Sequence, residues 1–192
     1  NVSNSNFRKH SVISGSASGL APYTGSWTKK EASHLTRRTH FGVKVNDVNY
    51  LRSFGDATAA VDAIIENART TPLPDDPQWY SNGLSGDVLD VYDIQFRWMD
   101  QMYNDGLKER MILFWSNHFA VSYSNMNALP EKAGDSYASH MYTYWKLLHQ
   151  SSFGNFRDFV LDMSRNSAML YYLNNYNNRS GQPNEDFARE LM

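Results

Sequence analysis

The chain has 192 residues, 41% of them hydrophobic, and a formal charge of −2. That is enough for one domain with a sizeable core, too short to demand two, and it lacks the basic face that DNA or RNA binding requires. Cysteine is absent, which excludes disulfides, thiolate metal sites and cysteine nucleophiles, and no apolar run approaches the roughly 20 residues that cross a bilayer.

Residues 1–26, NVSNSNFRKHSVISGSASGLAPYTGS, are rich in Ser, Asn and Gly without apolar periodicity and are expected to form an extended, flexible arm. The first residue is Asn and no secretion signal is visible, so a processed or trimmed chain is expected. A helical domain is expected over 27–192. Its first helix is announced by Thr28 and Glu31, three residues apart as in a capping box, with Gly42 as a stop. In NDVNYLRSFGDATAAVDAIIENA, Asn46 is expected to cap one short helix and Gly55 to end it. Asp56 should cap the next, which buries Ala60, Val61, Ile64, Ile65 and Ala68.

Three prolines and two glycines make TTPLPDDPQWYSNGLSG a loop. A longer helix over 87–105 carries Leu89, Tyr92, Phe96, Met99 and Tyr103 at helical spacing, and Gly106 breaks it. LKERMILFWSNHF, SYASHMYTYWKLLHQ, GNFRDFVLDMSRN and SAMLYYLNN supply further helices, the second with a dense aromatic face and the third with Phe156, Phe159, Val160 and Met163 as its buried stripe. No stretch alternates strongly enough for a strand and no long period recurs. The fold class expected is all-α, an irregular multi-helix bundle.

One polar constellation stands out. Leu107, Met111, Phe114, Trp115 and His118 share a helix face, which would draw His118 out of water beside Asn117. Near the end, Asn184 reads as an N-cap, with Glu185 and Asp186 in the first turn, Arg189 four residues after Glu185 and Glu190 four after Asp186. If Phe187 and Leu191 are packed, these acids need a cation, a metal or donors, and Arg189, Arg157, Arg165 and His118 are candidates. His118 with Glu185 and Glu190 could then perform proton transfer or hold a divalent zinc, manganese or iron. Asn117, Asn184, Arg189 and Arg157 would be binding groups around them. The same residues also suit a structural network, and no HExxH, EF-hand or G-x-S-x-G motif favours chemistry. Histidines 34, 40, 140 and 149 show no ligand spacing and read as surface or partly packed groups.

HLTRRTHFG, LFWSNHF, FGNFRDFVLDMSRNSAMLYYLNN and GQPNEDFARELM resemble, in that order, the landmarks of the large bacterial family catalogued as domain of unknown function 1800. The resemblance runs from about Trp27 to Met192. It implies a helical protein exported across the inner membrane, extracytoplasmic or secreted, and often encoded beside sulfatase-like proteins. It implies no reaction. Ser116 stands where the family pattern usually has a second His. The family also continues beyond ARELM, so this chain is expected to be the N-terminal part of a longer domain. Its partners are then expected to be the remaining C-terminal part or another protein. Two functions remain open: a scaffold or interaction module of an exported assembly, and a metal-assisted or acid/base hydrolase using His118 with Glu185 or Glu190.

Overall fold

The structure is a computed structural model that describes residues 21–82, 88–126 and 136–191. Most of the expected arm, residues 1–20, and part of the loop before the long helix lie outside the described residues. The fold is all-α: the described residues form helices and short turns, with a single isolated bridge between Arg179 and Gln182. No helix among them is long and apolar enough to cross a membrane.

Helix α1 spans Lys29–Thr39 and opens on the expected capping box, in which the Thr28 side chain accepts from the Lys30 amide and Glu31 accepts from the Thr28 amide at 3.0 Å. It ends at His40, whose extended backbone breaks the helix before Gly42 is reached. Helix α2, Val45–Arg52, starts two residues earlier than the Asn46 cap anticipates. Lys44 occupies the N-cap and makes no side-chain bond there. Gly55 closes this turn with φ +81°, a left-handed conformation that glycine adopts without steric cost. Asp56 then caps α3, Ala57–Thr70, by accepting from the Ala59 amide at 2.8 Å. Ala60, Ile64 and Ala68 bury the α3 stripe, while Val61 is turned outward.

After the short helix α4, Gln78–Ser81, come α5, Val88–Asn104, and α6, Gly106–His118. A one-turn helix, α7 (Tyr123–Met126), precedes the central α8, Tyr137–Ser151, capped by Ser136. Helices α9, Phe156–Met163, and α10, Ser167–Tyr172, are capped by Asn155 and Asn166, and α11 spans Asp186–Leu191. Two main apolar clusters result. One joins Ala32, Val48, Leu51, Ala60 and Ile64 from the first three helices. The other gathers Ile112, Phe119, Leu148, Phe159 and Met163 around α8, and a smaller group of Ile94, Tyr142 and Trp145 bridges α5 to α8. Long-range polar ties lock these layers. Arg110 donates to the His40 carbonyl at 3.0 and 2.6 Å, Trp115 to the Ser152 carbonyl at 3.1 Å, and Tyr144 to the Phe119 carbonyl at 2.7 Å.

Two helices present faces other than their apolar spacing suggests. The α5 set of Tyr92, Phe96, Met99 and Tyr103 faces solvent, because Val91 and Ile94 on the opposite side pack inward. On α6 the buried positions are Lys108, Glu109 and Ile112 rather than the face through Phe114 and His118. Helix α6 is held against both α3 and α8, and its early turns meet them. Phe156, expected in the α9 stripe, is likewise exposed.

The α5–α6 junction yields a stability test. Gly106 sits at φ +43°, and a Cβ there would lie 2.6 Å from Cδ2 and Nε2 of the His40 ring. Gly106→Ala should therefore cost about 2–4 kcal/mol through combined backbone strain and overpacking. Gly42→Ala meets nothing within 4 Å and should stay within about 0.5 kcal/mol of wild type. Urea denaturation midpoints of the two variants check the difference.

Candidate functional site

The residues singled out by spacing do not converge. Asn117 and His118 end α6 on its exposed side, with the His118 ring lying edge-on to Trp115 and Phe119 at centroid distances of 5.8 and 4.7 Å. Asn184 caps α11 by accepting from the Asp186 amide at 2.8 Å, as the sequence suggests. Beyond that cap the helix faces water: the side chains of Glu185, Arg189 and Glu190 are 89%, 62% and 59% exposed. Arg189 serves all three neighbouring carboxylates, Asp186 at 2.7 Å, Glu190 at 3.8 Å and Glu185 at 4.0 Å. Arg157 is exposed and makes no ion pair among the described residues. No group of three His, Asp or Glu side chains suited to a metal occurs among the described residues, so His118, Glu185 and Glu190 are not assembled into one. Among the described residues the α11 acids pair with Arg189 within their own helix and face water rather than a dry pocket.

A different polar cluster lies inside the protein. Glu109, on the first full turn of α6, is fully buried, and His149, on the last turn of α8, is only 2% exposed. His149 Nε2 stands 3.7 Å from Glu109 Oε1, a close approach that is too long for a hydrogen bond. Among the described residues, neither Glu109 oxygen, nor His149 Nε2, nor the indole N–H of Trp98 or Trp145 has a hydrogen-bond partner. The Trp98 N–H is nonetheless turned toward the carboxylate and favours its ionised form somewhat. Burial dominates and pushes the Glu109 carboxyl up to about 7. Burial also pulls the His149 imidazole down to about 4, and the positive charge of Lys108 pulls the same way. Proximity alone would favour an ion pair, but with both groups out of water and no hydrogen bond joining them the neutral pair prevails.

Two surface clefts flank this cluster. One, about 420 Å³, lies between α2, α3 and the α5–α6 turn and is lined by His40, Asp47, Asn67, Asn104 and Asp105 among others. Asp105 is held above the usual carboxylate range by burial and by the neighbouring charge of Asp100. His40 is lowered by burial; its Nδ1 meets the Thr39 hydroxyl at 2.8 Å and its opposite edge rests on Gly106. The second cleft, about 700 Å³, is lined by Arg69, Lys108, Gln150, Phe153, Gly154, Asn155 and Phe156. Lys108, only 4% exposed, thus connects the buried cluster to the surface.

Sequence reasoning treated His149 as ordinary and passed over Glu109. A signal for His149 existed: Tyr142, Trp145 and His149 recur at helical spacing on an aromatic face, and all three are buried. Nothing comparable marks Glu109, which sits inside the charged run LKER.

An all-helical domain with a buried carboxylate–imidazole contact and no assembled metal site defines a structural class without assigning a reaction. The family model described as Protein of unknown function (DUF1800) matches residues 34–192, and the chain belongs to that family. Comparison with curated proteins and with solved structures gave no match.

The cluster sets a pH prediction. In the unfolded chain Glu109 ionises near 4.5 but in the native state only near 7, so its stabilisation is complete below pH 4.5 and is lost as pH rises through 7. His149 runs oppositely: its stabilisation is complete above pH 6.5 and is lost as pH falls through 4. Between pH 4.5 and 6.5 the two slopes oppose each other. Relative to wild type, Glu109→Gln should gain stability as pH rises through that window and His149→Gln should lose it, each by roughly 2–3 kcal/mol. Urea titrations at constant ionic strength check this; parallel profiles for both variants and wild type would refute the shifts.

Proposed function

We propose that this chain is a non-catalytic scaffold or interaction module of an exported bacterial assembly, with the outer face of α5 as its docking surface. The observation that carries the reading is the row Tyr92, Phe96, Met99 and Tyr103, exposed by 51%, 68%, 63% and 68% on one side of a 17-residue helix. Spacings of four, three and four residues are those of a helix that receives another helix. At roughly 100–150 Å² of exposed side chain each, the four residues offer about 500 Å². That matches the largest apolar patches of monomers, which are often functional, and suits the centre of an interface of about 800 Å² per partner.

Charge selects the occupant. Helix α5 carries Asp90, Asp93 and Asp100 against Arg97 alone, so a second copy of α5 would bring acids toward acids. An amphipathic helix with basic residues flanking its apolar stripe complements the face. The family resemblance supplies the setting, an extracytoplasmic location and a sulfatase-like exported protein as the source of that helix. A hydrolase reading has less support, because Glu109 and His149 are sealed from solvent and His118, Glu185 and Glu190 stand apart in water.

The test places a photocrosslinking residue at Phe96 in cells that export the protein. A discrete adduct that maps to an apolar, basic-flanked helix of a sulfatase-like protein, and that vanishes with Met99→Glu, is the expected outcome. Met99→Glu should leave the urea midpoint within about 0.5 kcal/mol of wild type, since the site is already in water. No adduct, or an adduct only with a second copy of this chain, overturns the proposal.

A further inference from the structure

The 700 Å³ cleft joins the end of α3, the first turns of α6 and the turn between α8 and α9. Among the described residues its charged lining side chains are Arg69 and Lys108, with no acidic one. Lys108 is unusual: the residue is only 4% exposed, yet it makes no hydrogen bond or ion pair among the described residues, and its ammonium, which opens into the cleft, sits 5.7 Å from the centroid of the Phe153 ring that lines the same cleft. A lysine whose stem is so largely buried normally has a counter-charge close by. The nearest candidates on α6, Asp105 and Glu109, act on it only at a distance, and Glu109 tends to the neutral form. Arg69, exposed at the rim, likewise makes no hydrogen bond or ion pair among the described residues.

We propose that this cleft binds a phosphate group carried on an apolar or ring-bearing body. Lys108 supplies a point charge at the floor and Arg69 a planar fork at the rim, the donor arrangement that suits a tetrahedral oxyanion. Gln150 lines the cleft with an amide donor. Asn155, which caps α9 by accepting from the Arg157 and Asp158 amides, places the positive end of that eight-residue helix on the same wall. Phe153 and the exposed Phe156 form the apolar side against which the body of the ligand rests. Donors and positive charge outnumber what a two-oxygen carboxylate can use, which favours phosphate. The site lies apart from the α5 docking face and stands or falls independently of it.

Phenyl phosphate, inorganic phosphate, benzoate and phenol, each titrated into the full chain at fixed ionic strength by calorimetry, test the assignment. Phenyl phosphate should bind, with inorganic phosphate about 10-fold weaker, and benzoate and phenol should be weaker still. Arg69→Gln, at an exposed position, should weaken phenyl phosphate about 10-fold without moving the urea midpoint. Lys108→Met, checked for helical content by circular dichroism, should weaken it further. Three results overturn the proposal: no phenyl phosphate binding up to about 10 mM, affinity unchanged by Arg69→Gln, or benzoate binding as tightly as phenyl phosphate.

Discussion

At the contact of α6 and α8 the chain holds a carboxyl and an imidazole 3.7 Å apart, both sealed from water. Two such groups cost several kcal/mol each if charged and unpaired, and burial accordingly shifts both toward their neutral forms. That requirement explains what surrounds them. Trp98 and Trp145 present indole edges rather than charges, and Ile112 and Leu148, both without solvent exposure, supply apolar bulk on the same two helices. The apolar cluster around α8 carries the stability that the polar pair does not.

The pair also sets the geometry of its neighbours. With Glu109 turned inward, the preceding residue Lys108 is dragged below the surface on the same turn of α6, and its ammonium extends toward the α8–α9 turn. A cation without a partner at the base of a cleft is therefore a by-product of burying Glu109. On the other side, Trp98 of α5 reaches toward the carboxylate while Ile94 packs against α8. Committing Ile94 and Trp98 to the interior leaves Phe96 directed outward, since it lies two residues from each of them and so well around the helix. One buried contact thus underlies both the cationic cleft and the exposed apolar face of α5.

Short polar side chains such as Thr28 and Asp56 made helix starts legible in the sequence, although Asn46 misplaced one. Thr28, Asp56, Ser136, Asn155 and Asn166 each accept a backbone hydrogen bond at a helix N-terminus. Apolar periodicity was less informative about which face is buried, because it cannot tell a face turned to the core from one turned to solvent. On α5 the larger and more regular stripe is the exposed one. On α6 the buried face is largely polar, so an apolar count pointed to Phe114 and His118 instead. Tertiary contacts with α3 and α8 decide that orientation, and they involve residues dozens of positions apart that leave no local trace.

The terminal helix shows why a suggestive set of acids need not be a site. Three carboxylates within one turn of Arg189 already share a counter-ion, at 2.7 to 4.0 Å, and each of the four side chains retains substantial contact with water. Exposed pairs of this kind contribute about 0–1 kcal/mol and perturb their surroundings little. Glu109 is the reverse case: one acid, no hydrogen bond, no solvent and a carboxyl shifted toward neutrality. What distinguishes the two is desolvation rather than the number of acids. The acid that shapes the protein's surface is the one that stands alone in LKER, without the neighbours that made the terminal helix conspicuous.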